Sequence, residues 1–231
     1  MAIIATNKGG ESNYTLIPAG NHIARCYSMV ELGTLTETIL GQEKQVRKIR
    51  MTFELPDELR VFNSDKGEQP CVISKEFALS MHEKSNLRAF LKSWRGKDFT
   101  EEEAVDFDVT KLLGVPCLLN IIHKPSKKDP SRMYDEIASA TPLMKNMTCP
   151  PQVNSNFEFS LRDWNPNHFE LLPEFLKEKV RSSKEYKAMF APAAPVSNTA
   201  HLATKNEDAY HYAKKEVAPH HEGQDDSDLP F

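Results

Sequence analysis

The sequence predicts a mainly β protein, a five-stranded Greek-key barrel with a helix between strands three and four, plus a C-terminal helix and a disordered acidic tail. Three observations predict it. Apolar and polar residues alternate over several short runs, a helical pattern interrupts these runs once, and the composition changes near residue 191. The length of 231 residues suits one folded domain with appendages.

The first two strands are predicted at residues 20–32 and 45–55. The earlier run is rich in large apolar residues. The later run alternates strictly between apolar and charged or hydroxyl side chains, as a half-buried strand does. We expect a turn over residues 33–41, where threonines lie between glycines, and a polar connection over residues 56–70 before a third strand at 71–81.

The helical part of the pattern follows the third strand. Ser85 is placed to cap a helix that ends at Gly96, and the apolar residues between them recur at helical spacing. These residues are Leu87, Phe90, Leu91 and Trp94. Thr100 and Glu103 form a capping-box pair that opens a second short helix.

Two more strands complete the pattern, at residues 115–123 and 134–141, with a basic loop between them. A short extended piece at 157–161 and a helix beginning at Pro173 follow. This order of strands and helix is that of the OB-fold, whose second and third strands and neighbouring loops bind nucleic acids. An SH3-like barrel or an α+β sheet domain would give a similar pattern.

We therefore divide the chain into three parts. Residues 1–150 form an OB-fold nucleic-acid-binding domain, and residues 151–190 are an extended piece and helix that pack on or extend the barrel. Residues 191–231 are a flexible linker and an acidic partner-binding tail. The tail has three basic and seven acidic side chains, so it carries the whole net charge of −4, and its few large apolar residues predict disorder.

Basic side chains gather on the second strand and in the loop before the fifth, where they could neutralise backbone phosphates. Lys48, Arg50 and Thr52 share the polar face of the second strand, although such a face is also typical of an ordinary solvated surface. Phe77 and Trp94 continue apolar phases and are predicted in the core. The predicted DNA-binding residues, including two tyrosines expected to stack on bases, are Arg25, Tyr27, Arg47, Lys48, Arg50, Lys75, Lys124, Lys127, Lys128, Arg132 and Tyr134.

The last seven residues form the most specific motif in the chain. They are Asp225, Asp226, Ser227, Asp228, Leu229, Pro230 and Phe231. A terminal phenylalanine offers a ring and a free carboxylate to a partner pocket, and aspartates steer it toward basic surfaces. The motif resembles the acidic tip of bacterial single-stranded DNA-binding proteins, apart from Ser227, which interrupts the aspartates. The resemblance implies binding of replication or recombination proteins by Asp225, Asp226, Asp228, Leu229, Pro230 and Phe231.

A second resemblance is carried by three stretches of the folded part. Residues 73–77 (Ile-Ser-Lys-Glu-Phe), 94–97 (Trp-Arg-Gly-Lys) and 112–117 (Leu-Leu-Gly-Val-Pro-Cys) resemble phage-encoded single-stranded DNA-binding or replication proteins of OB-fold type. The resemblance covers roughly residues 14–190. It implies a phage or prophage protein that coats and protects single-stranded DNA in the cytoplasm of a bacterial host.

Motifs of catalysis and of membrane insertion are absent from the sequence. There is no GxxxxGK[ST] or GxGxxG phosphate loop, no HExxH and no GxSxG. The four cysteines are widely spaced, without the CxxC pairs of zinc sites. No apolar run approaches the roughly 20 residues that span a bilayer, and no signal-peptide pattern is present. We therefore expect a binding protein without enzymatic activity, cofactor, metal or membrane partner.

Other functions stay open on the sequence. The chain could be a strand-annealing recombination protein with the same kind of tail, or an adaptor whose barrel binds protein instead of DNA. A metal-dependent nuclease has less support, because the acidic residues at 101–108 fit a helix cap and an exposed helix face. A small barrel could also pair into a homo-oligomer, and the sequence leaves the oligomeric state open.

Overall fold

A computed structural model describes residues 15–127 and 129–191. Its described part is mainly β, with a curled antiparallel sheet of five strands, a short sixth strand and five α-helices, so the predicted fold class is confirmed. The strands are β1 Gly20–Ile39, β2 Gln42–Asn63, β3 Gly67–Ala78, β4 Pro116–Pro125, β5 Met133–Thr141 and β6 Phe157–Phe159. The helices are α1 Asn86–Arg95, α2 Glu101–Val105, α3 Pro166–Glu170, α4 Glu174–Ser182 and α5 Lys184–Met189. Two 3-10 turns are Ser64–Lys66 and Val109–Leu112.

The main sheet has the order β3-β2-β1-β4-β5, and every neighbouring pair in it is antiparallel. The sheet curls until β3 approaches β5, where Nζ of Lys75 on β3 donates to the carbonyl oxygen of Ile137 on β5. The helix α1 lies between β3 and β4 in the chain. The strand order and the helix position are therefore those predicted for the barrel.

The inside of the curled sheet encloses the larger hydrophobic core. The second strand contributes every other residue to it, namely Ile49, Met51, Phe53 and Leu55. The helix α1 packs on this core, and the rings of Phe90 and Trp94 lie 6.2 and 5.5 Å from that of Phe53. Phe77 and Trp94 are both buried, which confirms their predicted place in the core.

Two predicted connections are instead strands. The predicted turn over residues 33–41 is wrong, because β1 continues to Ile39 and only Leu40 and Gly41 form the turn. The threonines of this run pair along the β1–β2 ladder, which suits their β-branched side chains. The predicted connection over residues 56–70 is also wrong, because β2 extends to Asn63 and β3 begins at Gly67. Both hairpins are therefore longer than the sequence indicated.

The predicted helix boundaries agree with the structure. Ser85 caps α1 by accepting a backbone N–H of the first turn, and Gly96 ends the helix with a left-handed φ of 74°. At α2, Thr100 and Glu103 form both halves of the capping box. The helix predicted from Pro173 is also present, with this proline at the N-cap of α4. Local capping chemistry therefore determines where α1 and α2 begin.

A second, smaller core lies on the outer face of β1. The strand β6 pairs in parallel with β1, and the helices after it pack on Val30 and Leu32. The other buried members of this core are Phe159, Leu161, Phe169, Leu172, Leu176 and Val180. We call residues 150–189 the C-terminal cover, because they occupy part of the outer face of the barrel.

Gly33 lies where the C-terminal cover meets β1. Its φ of 78° is in the left-handed region, and a Cβ atom at this position would come within 2.6 Å of Leu161 and Ser183. The next residue, Thr34, donates its backbone N–H (2.6 Å) and its hydroxyl (2.5 Å) to the carboxylate of Glu185. Glycine is needed here because any side chain would push the cover away from the strand.

Candidate nucleic-acid interface

The polar face of β2 lies on the outside of the curled sheet. Lys48, Arg50 and Thr52 alternate with buried residues of the strand, and Glu76 and Ser74 of β3 lie opposite Arg50 and Thr52. The hydroxyl oxygens of Thr52 and Ser74 are 3.0 Å apart. The structure thus brings Lys48 and Arg50 together on one face, whereas Arg47 falls in the other phase of the strand.

The cations of the β2 face are paired with carboxylates. The Nζ of Lys48 lies 2.5 Å from Glu37 and 3.3 Å from Glu76, and Nη1 of Arg50 lies 3.2 Å from Glu76. Burial alone would lower the pKa of Lys48, but its hydrogen bond to Glu37 and the charge of Glu76 raise that pKa above the ordinary value. Lys48 is therefore already paired with two carboxylates, and a phosphate must compete with them for it.

Arg25 and Arg47 make contacts that hold the C-terminal cover. The two terminal nitrogens of Arg25 donate to the carbonyl oxygens of Gly114 (2.9 Å) and Pro150 (3.0 Å). The guanidinium of Arg47 lies 2.6 Å from Glu31, and that carboxylate also accepts two hydrogen bonds from the chain just after β6. Both arginines therefore connect the barrel to the cover.

Lys75 and Tyr27 are only partly exposed. Lys75 falls in the inward phase of β3 and reaches the seam with β5, so it does not share the face of Lys48. Burial lowers the pKa of Lys75, against the opposing effect of Glu136. Tyr27 lies at a break in the β1–β2 register, and burial raises the pKa of its hydroxyl, with a further contribution from Glu54.

The β4–β5 loop, taken together with the strand ends at Lys124 and Tyr134, is the more open basic region. The Nζ of Lys124 lies 2.9 Å from Glu136, and Tyr134 donates its hydroxyl to the same carboxylate at 3.3 Å. Lys127 and Arg132 are exposed, and Lys127 has no ion-pair partner within the described part of the chain. Tyr134 is 38 % exposed, so part of this residue is accessible to a base.

The β2–β3 hairpin lies at the same end of the barrel as this loop. Residues 15–17 connect the two, because Arg60 on β2 donates to the carbonyl oxygens of Thr15 and Leu16 while the N–H of Ile17 donates to Asp135 on β5. The hairpin exposes three apolar side chains, Leu59, Val61 and Phe62. With Phe62 65 % exposed, an aromatic ring is available near the basic loop.

Two residues that sequence reasoning missed lie on α4 beside the β2 face. The Nζ of Lys179 is 2.5 Å from Glu76, and the guanidinium carbon of Arg50 is 5.4 Å from the centre of the Phe175 ring. Phe175 is 49 % exposed. Phe175 and Lys179 are four residues apart and so share one helix face, beside the apolar stripe that is buried. That spacing is the signal that could have found them.

A cleft of about 1190 Å³ opens near the end of the barrel opposite the basic loop. Its floor is apolar, but its rim carries more carboxylates than cations. The acidic residues are Glu31, Glu83, Glu101, Asp106, Asp108, Glu158 and Asp163, against Arg47, Arg88 and Arg162. This surplus of negative charge makes the cleft unsuited to a DNA backbone.

Lys128 and the tip, residues 225–231, lie outside the described residues. Three of the four cysteines, Cys26, Cys71 and Cys117, are buried. Burial raises the pKa of Cys26 to about 12, which keeps its thiol protonated and unreactive.

Comparison with known proteins gives no family assignment. No protein-family model matches the sequence, and no curated protein is significantly similar to it. Within residues 15–127 and 129–191, no group of three or more His, Cys, Asp or Glu side chains is arranged to hold a metal ion. No helix in these same ranges is long and apolar enough to cross a membrane.

Proposed function

We propose that this protein binds single-stranded DNA on the outside of its barrel and recruits replication or recombination proteins through its C-terminal tip. The observation that carries the proposal is the tip sequence, residues 225–231, joined to a barrel with the OB-fold strand order. The resemblance of both parts to single-stranded DNA-binding proteins supports a role in phage replication inside the bacterial host. No cofactor and no catalytic step belong to this proposal.

The β4–β5 loop is the primary DNA contact in this proposal. Lys124, Lys127 and Arg132 supply positive charge at an exposed site, where each phosphate contact releases counterions. Tyr134 and Phe62 supply exposed rings at the same end of the barrel. Every base has a face that can stack on such rings, so binding is expected to prefer single strands and to tolerate any sequence.

The tip acts separately from the barrel in this proposal. Pro230 favours an extended backbone before the terminal residue, and Phe231 presents its ring and carboxylate together. The linker raises the effective concentration of the tip near the DNA to which the barrel is bound. Removal of residues 229–231 should therefore abolish retention of partner proteins from a host lysate while DNA affinity stays intact or rises.

The direct test is fluorescence anisotropy of a labelled oligo-dT, with a duplex of equal length alongside, at low and moderate salt. We expect tight binding to the single strand, weaker binding to the duplex, and a loss of affinity as salt rises. An absence of binding to both oligonucleotides at every salt concentration would refute the DNA-binding proposal.

The ion pairs of the β2 face favour one second candidate, an adaptor whose barrel binds protein. Lys48 and Arg50 are already held by carboxylates, as in an ordinary solvated or protein-binding surface. The adaptor predicts no affinity for oligo-dT at any salt but continued recruitment of partners by the tip. The anisotropy experiment therefore separates the two candidates.

A further inference from the structure

One carboxylate holds three cations at the junction of the barrel and α4. Oε1 of Glu76 lies 2.5 Å from Nζ of Lys179 and 3.2 Å from Nη1 of Arg50, and Oε2 lies 3.3 Å from Nζ of Lys48. We call these four residues the Glu76 cluster. Its cations come from two parts of the chain, since Lys48 and Arg50 lie on β2 and Lys179 lies on the C-terminal cover.

The Glu76 cluster carries excess positive charge. Glu37 is the only other carboxylate within ion-pair distance of its cations among the described residues, so three positive charges face two negative ones. Burial alone would raise the pKa of Glu76, but the hydrogen bond and charge of Lys179, with those of Lys48, bring the pKa below its ordinary value. Glu76 is therefore ionised, and its charge neutralises part of the positive charge of the three cations.

An exposed aromatic ring lies beside these cations. The guanidinium of Arg50 covers one side of the Phe175 ring, and Phe175 is 49 % exposed. Small side chains continue the outer face of β3 from the cluster toward the β2–β3 hairpin, because Ser74 and the 46 % exposed Val72 follow Glu76 in the same phase. An extended strand could thus pass from the cluster toward the basic loop.

We propose that the Glu76 cluster and Phe175 form a nucleotide subsite for single-stranded DNA, in which a backbone phosphate replaces the Glu76 carboxylate among the three cations. The neighbouring base stacks on Phe175. This inference rests on the proposed function and adds residues of the C-terminal cover to the DNA-binding surface. It also gives Glu76 a role as an internal competitor that weakens binding to this subsite.

The role of Glu76 gives a test in which the expected change is a gain in DNA affinity. Glu76→Gln keeps the shape of the side chain and removes its charge, so the cations become available to a phosphate. We expect oligo-dT to bind about fivefold more tightly to this variant, with a steeper salt dependence. If the cluster only fastens α4 to the barrel, the same substitution leaves affinity unchanged or lowers it. The control is Glu178→Gln, an exposed glutamate on α4.

Two more variants test the subsite from the other side. Lys179→Ala should weaken oligo-dT binding about threefold and lower the salt slope by about 0.7, as for one lost phosphate contact. Lys187→Ala on α5, also exposed, is the charge-matched control and should leave binding unchanged.

Phe175→Ala should weaken binding to oligo-dT about tenfold but leave binding to an abasic oligonucleotide of equal length unchanged, because only a base can stack.

The outcomes separate this inference from the proposed function. All measurements use the full chain, and thermal unfolding checks that each variant is folded. If the natural sequence binds oligo-dT but Glu76→Gln does not bind it more tightly and Lys179→Ala equals its control, the subsite is refuted while the proposed function stands. If the natural sequence does not bind oligo-dT at all, the proposed function fails first.

Discussion

The β2 face and the β4–β5 loop are both basic in sequence, but they differ in electrostatic state. Lys48 and Arg50 each have a carboxylate within 3.3 Å, as Lys124 beside the loop also has, whereas Lys127 in the loop has no ion-pair partner in the described part of the chain. The difference comes from their neighbours. The second strand lies between two strands that carry glutamates, while Lys127 lies between the end of β4 and the start of β5. A cluster of lysines and arginines therefore indicates phosphate binding only where its surroundings leave the charge available.

The largest expected effect comes from disturbing the contact between β1 and the C-terminal cover, which borders the β2 face. Gly33→Ala should lower the free energy of unfolding by about 3 kcal/mol, because a left-handed φ and a Cβ contact of 2.6 Å are both unfavourable. Gly41→Ala is the matched control, since Gly41 has the same φ of 78° and nothing within 4 Å of an added Cβ. Denaturant unfolding measures both, and equal losses would show that the cover does not depend on this contact.

The next effect tests the β4–β5 loop, the more exposed of the two basic regions. Replacing Lys124, Lys127 and Arg132 together by alanine should weaken oligo-dT binding about fiftyfold and lower the salt slope by about 2, because three phosphate contacts are lost. Anisotropy at several salt concentrations measures both quantities. A control with the same charge change on exposed residues elsewhere uses Lys84, Lys111 and Lys187. Equal losses in the two variants would mean that net charge matters and the loop does not.

A smaller effect is expected on the β2 face, whose cations are paired with carboxylates. Lys48→Gln together with Arg50→Gln should weaken oligo-dT binding about tenfold and lower the salt slope by about 0.7, for all base sequences alike. The loss is smaller than in the loop because this face holds one phosphate, whereas the loop contacts three. The same salt titration decides the order, and a loss greater than that of the loop variant would reverse the comparison.

The smallest effect concerns an ion pair on α2 that takes no part in DNA binding. Hydrogen bonds from Arg95 and from the backbone N–H of Thr100 lower the pKa of Glu103 to about 2, from an ordinary 4.5. Because the pKa of Glu103 is lower in the folded state, its ionised carboxylate stabilises the folded protein above pH 4.5. This contribution is lost as the pH falls from 4.5 to 2. The unfolding temperature of Glu103→Gln should therefore fall less steeply over this interval than that of the natural sequence. Parallel pH curves would contradict the assignment.

Local sequence signals predicted the elements that depend on local chemistry. Alternation identified the buried side of β2, and Ser85, Gly96 and the pair Thr100–Glu103 identified the helix ends. The extension of β1 was missed because Gly33 was interpreted as the start of a turn. Its positive φ instead allows the close approach of the C-terminal cover. The contacting residues lie 128 to 152 positions further along the chain, so they give no local signal.

The candidate site was predicted less completely for the same reason. Lys48 and Arg50 lie together as the alternation indicated, but their carboxylate partners belong to other strands. Lys75 is also predicted to bind DNA, but the β2–β3 register puts it in the inward phase. Lys179 joins the cluster only through the packing of α4 on the barrel. Cross-strand register and helix packing therefore determine which charges meet.

The most direct test of the central claim is photochemical crosslinking of a 4-thiothymidine-substituted oligo-dT to the full chain, with the crosslinked peptides identified by mass spectrometry. We expect crosslinks at Tyr134 and elsewhere in the β4–β5 loop, at Phe62 on the β2–β3 hairpin and at Phe175 on α4. Absence of crosslinks, or crosslinks confined to the acidic cleft around residues 101–110, would contradict the claim that the basic outer surface of this barrel binds single-stranded DNA.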